Sequence, residues 1–276
     1  MSASVPFIGP VAAPWLHVMT LNVRRPTLWP TRAEQRWSTR RPLLRRVLEA
    51  ERPSILGLQE VMPAQSDDID RMLGRRYAMV GSGRGANHDG ERCEIRFDII
   101  RLRLIGSRTW WLSDRPDVPG SRSYGNVLPR IAVQAELEDN ELGTRFHVIV
   151  THLDHLSARS RLASARQIRR VASALDVPHI VMGDFNAGPS SGVASELCAD
   201  RLLADTWLTA SQRLSPAWDT YSNYGPPRQG GRRVDWVLVS TTARVEAAGV
   251  NPVRFGSVAV SDHEPVHALI RWEANP

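Results

Sequence analysis

The stretch His179-Ile180-Val181-Met182-Gly183-Asp184-Phe185-Asn186-Ala187-Gly188-Pro189 decides the fold. Ile180, Val181 and Met182 spell a buried strand, Gly183 loosens the backbone, and Gly188-Pro189 stops the run. Asp184 and Asn186 follow the apolar residues at alternate positions, and alternate residues of an extended chain face the same side. The spacing therefore predicts a carboxylate and a carboxamide side by side where the strand leaves the core. Such an Asp can accept a proton or hold a metal-bound water, and the Asn can donate to an anionic oxygen without adding charge. A polar turn after a buried strand would also read this way, so the other strand ends carry the decision.

Other stretches share the design. His17 to Val23 alternates apolar and polar residues and ends near Asn22, and Ser54 to Glu60 is a short buried strand ending on a carboxylate. His152-Leu153-Asp154-His155 closes a third strand, and Asp235 and Ser261-Asp262-His263 complete the set. Singly, Glu60 also fits a helix-capping acid, Asp235 a salt-bridge partner and His152 a satisfied half-buried imidazole. Together they form an acid-rich, His-containing set without Lys or Cys. That is oxygen-ligand chemistry, suited to Mg2+, or Mn2+ in its place, rather than zinc. A hard cation beside carboxylates and imidazoles suits hydrolysis of a phosphate ester.

Outward from these motifs, the 276-residue chain predicts a tail over 1–14 and one domain over 15–276. Helices are expected from about Ser38 (Ser38 or Thr39 capping), around Ser66 to Leu73, and over 158–175, with strands between them. Residues 81–92 are Gly-rich and read as a surface loop, and 113–129 as a long loop. Helices mixed with many short, partly hairpin-linked strands point to mixed sheets covered by helices. All 35 cationic side chains are arginine, which excludes Schiff-base chemistry and a Walker-type phosphate loop and inflates the pI of 10.2. A net charge of +6 is compatible with anionic substrates. Cys93 and Cys198 have no metal-ligand spacing, residues 1–14 have no basic start, and no apolar run reaches a membrane span. A cytoplasmic protein with no membrane contact and no obligate protein partner is expected.

The motifs Met19-Thr20-Leu21-Asn22-Val23, Ile55 to Val61, Thr151 to His155, Gly183 to Asn186, Arg233 to Val237 and Ser261-Asp262-His263 occur in one order. In that order the chain resembles the endonuclease/exonuclease/phosphatase (DNase I-like) superfamily over about 15–272. Thr109-Trp110-Trp111-Leu112-Ser113 followed by Pro116 to Gly120 resembles the bacterial branch related to deadenylase and nocturnin catalytic domains. The resemblance implies a four-layer α/β sandwich, with two mixed sheets face to face, helices outside, and the site at one rim. It implies Glu60 as principal Mg2+ ligand, with Asn22 and Asp262 near the metal. His152 would donate to a phosphate oxygen, Asp184 orient or deprotonate the attacking water, and Asn186 fix that water or the phosphate. His263 would contact the scissile phosphate, oriented by Asp235. The segments Asn87 to Gly90, Cys93 to Phe97 and Thr220 to Arg232 depart from that branch, and they face substrate in the family.

Two functions follow from these residues. One is a Mg2+-dependent phosphodiesterase on nucleic acid, favoured by arginines and aromatics in loops: Arg24, Arg25, Trp29, Trp37, Arg84, Tyr221, Tyr224 and Arg228. Of these, Arg24, Arg84, Tyr221 and Arg228, with Asp154, are the expected substrate contacts. The other is a phosphatase on a small molecule such as a nucleotide, sugar phosphate or inositol phosphate.

Overall fold

Strand β1 (Leu16–Asn22) shows how the layers arise. Leu16 and Val18 join the core between two sheets, whereas Met19 and Leu21 join a core beneath helices. All its positions are buried, as a strand covered on both faces requires. The computed structural model describes residues 5–27 and 31–273.

The other strands are β2 (Ile55–Val61), β3 (Tyr77–Val80), β4 (Arg92–Asp98), β5 (Leu102–Trp111), β6 (Ile131–Asp139), β7 (Arg145–His152) and β8 (His179–Asp184). They continue with β9 (Leu203–Asp205), β10 (Gln212–Arg213), β11 (Asp235–Ser240), β12 (Ala243–Val250), β13 (Arg254–Phe255), β14 (Val258–Ala259) and β15 (Val266–Trp272). One sheet has the order β10-β12-β15-β1-β2-β4-β3 and the other β5-β6-β7-β8-β11-β9. The parallel pairs β1/β2 and β7/β8 each need a crossover, supplied by helices α1 (Trp37–Glu51) and α3 (Ala158–Ser173). Leu44, Val47 and Leu48 of α1 and Ile69 of α2 (Pro63–Leu73) pack on the first sheet. Ala165 and Ile168 of α3, with Val193 and Leu197 of α4 (Gly192–Leu197), pack on the second. A short α5 (Thr206–Thr209) follows β9. This is the expected four-layer α/β sandwich. The sheets approach so closely that a Cβ on Gly57 would meet Val150 Cγ2 at 2.8 Å and the Met182 side chain at 2.9 Å.

Two boundaries differ from expectation. Helix α1 begins at Trp37 with no side-chain cap, and the Trp37 indole donates to Asp68 of α2 at 2.8 Å instead. Helix α2 begins at Pro63, because Pro suits a first turn and Gln65 reaches back to the Met62 N–H at 3.1 Å. Residues 5–14 hold no helix or strand, yet they are attached. The N–H groups of Phe7, Ile8 and Gly9 donate to the Glu51 carboxylate at 2.6, 3.1 and 3.1 Å.

Beneath that segment His17 donates from Nδ1 to the Gly9 carbonyl, and its Nε2 lies 2.9 Å from His267 Nδ1. Burial pushes both imidazoles down to about 3, with His267 adding to the effect on His17. The unfolded chain would titrate them near 6.5, so it binds more protons below that pH. The stability this neutral pair contributes is therefore present above about pH 6.5 and is lost as pH falls towards 3. Thermal unfolding followed by circular dichroism should show stability falling below about pH 6.5 by up to about 1.4 kcal/mol per pH unit for each imidazole. The slope should be shallower in a His17→Leu, His267→Val variant. Equal slopes in the two proteins would locate the pH dependence elsewhere.

Candidate active site

Strand register builds one half of the site. His152 of β7 and Asp235 of β11 both pair with Asp184 of β8, so the three side chains form a row across adjacent strands. Gly183 precedes Asp184 with φ +141°, and a Cβ there would meet the Thr151 carbonyl oxygen at 2.0 Å. Only glycine fits that position.

The other sheet supplies Asn22 and Glu60. Glu60 does not simply end its strand: β2 runs on to Val61, and Glu60 sits in a bulge with φ +58° where the register with β4 shifts. A bulge re-aims a side chain, and here it turns the carboxylate towards the second sheet. Asn22 Nδ2 donates to Glu60 Oε1 at 3.2 Å and to Asp184 Oδ2 at 3.1 Å. Its Oδ1 accepts the Arg24 N–H at 3.0 Å, and its backbone carbonyl accepts the Ser261 hydroxyl at 2.6 Å.

Two imidazoles converge on Asp184. His263 Nδ1 bonds Asp235 Oδ2 at 2.9 Å, and its Nε2 lies 3.8 Å from Asp184 Oδ2. His152 Nε2 lies 3.4 Å from the same oxygen, and its Nδ1 lies 3.5 Å from Glu91 Oε1. Burial alone would lower His263, but the Asp235 and Asp184 carboxylates push it up to about 10. Burial would likewise raise Asp184, but the His152 and His263 rings hold it below the ordinary carboxylate range. Burial works against Glu91 as well, yet His152, Arg84 and Arg130 bring it down to about 2. The site therefore carries a fixed imidazolium at His263 and ionised carboxylates at Asp184 and Glu91.

A cavity of about 410 Å³ opens onto this centre. Of the expected residues, Glu60, His152, Asp184, Asn186, His263, Arg24, Arg84, Tyr221 and Arg228 line it. Asn22, Asp235 and Asp262 stand behind its wall, where Asn22 and Asp235 orient Asp184 and His263, and Asp262 pairs with Arg24 Nε at 3.4 Å. Asp154 corrects the reading of the His152 motif. It is buried away from the cavity, accepts the Leu156 and Ser157 N–H groups at 3.0 and 2.7 Å, and pairs with Arg130 Nε at 3.4 Å. It shapes a turn and holds an arginine. Asn186 departs from the expected extended geometry too. Strand β8 ends at Asp184, and Asn186 takes φ +50° with its N–H on Asp184 Oδ1 at 2.9 Å. It reaches the cavity through a turn. Trp37 and Tyr224 border an adjoining cavity of about 200 Å³, and Trp29 lies outside the described residues.

Glu91 and Arg130 escaped the sequence reading, although both face the cavity. Residues 81–92 are not a free surface loop. Arg84 and Glu91 are buried and joined at 2.6 Å, and the Trp111 indole donates to the Arg84 carbonyl at 2.7 Å. An acid and a base bracketing a Gly-rich stretch were the available signal.

The donor set fits a hard divalent cation. The tightest carboxylate–imidazole group at the site is Asp184, Asp235 and His263, within 4.8 Å of one another, but those atoms are committed to the His263 dyad. Glu60 is the better ligand: its partners are the neutral Asn22 amide and Arg25 N–H with Arg24 at 3.7 Å, and its side chain keeps 11% exposure on the cavity.

Residues 19–263 match the model of the Endonuclease/Exonuclease/phosphatase family. The chain belongs to that family. It is thereby a hydrolase of phosphate esters. A family protein from Bacteroides thetaiotaomicron superposes with a TM-score of 0.88 at 25% identity, covering 94% of this chain and 98% of that one. A mannosyl-6-phosphatase from the same species gives 0.85 at 25% identity, covering 93% and 100%. Human nocturnin is 24% identical over 205 residues, 67% of this chain, and the chain spans 45% of nocturnin's length. No helix among the described residues is long and apolar enough to cross a membrane.

Replacing Asp235 by Asn should drop the His263 pKa from about 10 towards its ordinary value near 6.5. Activity that needs the imidazolium would then fall as pH rises through the lowered value, with turnover at neutral pH down by about two to four orders of magnitude. NMR titration of His263 in both proteins checks this, and an unchanged pKa would dissolve the dyad. Glu91→Gln should cost about a hundredfold in turnover and lower thermal stability as well, because it leaves the buried Arg84 guanidinium without its charge partner. Wild-type turnover would remove Glu91 from the site.

Proposed function

We propose that the protein is a Mg2+-dependent phosphatase that hydrolyses the phosphate monoester of a small hydroxyl-bearing molecule, a sugar phosphate or nucleotide. The observation that carries this is the pairing of the cavity arginines. Arg84 is joined to Glu91 at 2.6 Å, Arg130 to Asp154 at 3.4 Å and Arg228 to Asp219 at 3.2 Å. Arg25 lies 3.6 Å from Glu91, and Arg24 shares Glu60 and Asp262. A polynucleotide track needs cations free to replace counterions at successive phosphates. Here nearly every cation on the wall already has a carboxylate, which leaves positive charge for one phosphate and little for a chain of them. The likeness to a mannosyl-6-phosphatase over almost the full length of both chains supports the same reading.

A divalent cation on Glu60 would offset charge on the phosphoryl oxygens. His263, charged and anchored by Asp235, donates from Nε2 to a non-bridging oxygen. Asp184, ionised, accepts from the attacking water and takes its proton as the bond to phosphorus forms and the bond from phosphorus to the ester oxygen breaks, the substrate leaving as its free hydroxyl with a proton drawn from solvent. Asn186 fixes that water from the turn that follows β8, and His152 is steered onto the phosphate by Glu91. The ring of Tyr221, 5.0 Å from that of His263, covers the imidazolium and excludes water. A cytoplasmic location is part of the same proposal, because Cys93 and Cys198 are unpaired, as suits a reducing compartment.

Turnover of chromogenic phosphomonoesters, sugar phosphates, mononucleotides and oligonucleotides, assayed with Mg2+, Mn2+ and EDTA, tests the reading. Monoesters should be hydrolysed with metal, stop with EDTA, and show affinity nearly independent of salt. Preference for longer oligonucleotides, with log affinity falling by about 0.7 per phosphate against log salt, would assign the site to nucleic acid instead.

A further inference from the structure

Arg24 stands where the two halves of the site meet, and its backbone and side chain are held very differently. The backbone has φ +55° and is fixed on three sides. Its N–H donates to Asn22 Oδ1 at 3.0 Å, and its carbonyl accepts from Arg40 Nη2 at 2.9 Å and Gln65 Nε2 at 3.1 Å. The side chain is 37% exposed and borders both the main cavity and the adjoining one. Its guanidinium lies between two carboxylates, Nη1 3.7 Å from Glu60 Oε2 and Nε 3.4 Å from Asp262 Oδ2. Strong guanidinium–carboxylate bonds are forked and shorter, about 2.7–2.9 Å. Arg24 is therefore held by charge more than by hydrogen bonding, with open space on two sides.

Those two carboxylates lie on the cation side of the site. A guanidinium and a divalent cation repel each other, and at this spacing they compete for the same negative charge. We propose that Arg24 stands in for the cation at Glu60 and Asp262, and that a bound divalent cation drives its guanidinium into the main cavity, where it takes a phosphate oxygen of the substrate. The fixed backbone acts as the pivot. The exchange couples the two binding events: cation binding frees the phosphate ligand, and by reciprocity phosphate strengthens cation binding. The proposal rests on Glu60 as the cation's carboxylate.

Calorimetry on the full chain tests it with Mg2+ alone, inorganic phosphate alone, and phosphate in saturating Mg2+, in wild type and Arg24→Gln. Arg24→Asn is a second variant, because Asn tolerates a left-handed backbone. Either variant should bind Mg2+ about two- to fivefold more tightly, the scale of a lost exposed ion pair. Each should bind phosphate in Mg2+ about tenfold or more weakly, the scale of a lost charge-assisted hydrogen bond. Without Mg2+, phosphate binding should match the wild type, because the guanidinium is then engaged elsewhere. Unchanged Mg2+ affinity together with an unchanged Mg2+-induced gain in phosphate affinity would overturn the exchange and leave the phosphatase reading standing. Unchanged Mg2+ binding in Glu60→Gln would overturn the exchange and the cation reading together.

Discussion

The Asn22 carboxamide is the joint on which the site depends. It is fully buried at the end of β1 and donates to Glu60 from its own sheet and to Asp184 from the facing one. Two carboxylates brought this close repel strongly in a low-dielectric rim, and the neutral Asn22 amide, donating to both, offsets that repulsion without adding charge. An Asp at position 22 would add a third negative charge, and a Leu would leave both acids short of a donor. The Ser261 hydroxyl on the Asn22 carbonyl draws the loop bearing His263 to the same point. One side chain thus fixes the separation of the cation side from the water side.

Around that joint, each charged group is set by the group behind it. Asp235 makes His263 an imidazolium, and the two imidazoles make Asp184 a stable anion. Glu91 lies behind His152, its Oε1 3.5 Å from Nδ1. A deep anion flanked by two rings suits a water-positioning role, and a cation held by the buried Asp235 suits phosphate binding around neutral pH. Division of labour between the two histidines follows from their partners.

The sheets and the row of strand ends were legible in the sequence because they rest on local rules. Apolar runs, the Asp at the end of β8 and the stripe of helix α3 survive folding unchanged. The misses come from backbone turns and from loops. Asn186 was placed by assuming an extended chain, but Asp184 Oδ1 captures its N–H and bends the chain after β8. Asp154 sits among histidines and reads as a substrate contact, whereas its oxygens serve two backbone N–H groups and Arg130. Glu91 and Arg84 lay in a stretch whose glycines suggested exposure. Arg84 is tied in by the Trp111 indole, 27 residues away, and pattern reading has no access to such a contact. The carboxylate partners of the cavity arginines, such as Asp154 for Arg130, are likewise distant in sequence and not legible from the loops alone.

The central claim is that Glu60, turned inward by the bulge in β2, holds the cation for phosphate-ester hydrolysis. Mg2+ binding by calorimetry, with turnover of a phosphomonoester in the same preparations, tests it in Glu60→Gln, which keeps the shape and the Asn22 contact. The account predicts an unchanged circular dichroism spectrum, loss of Mg2+ binding and loss of Mg2+-dependent turnover. A variant that binds Mg2+ with wild-type affinity and turns over normally would contradict it.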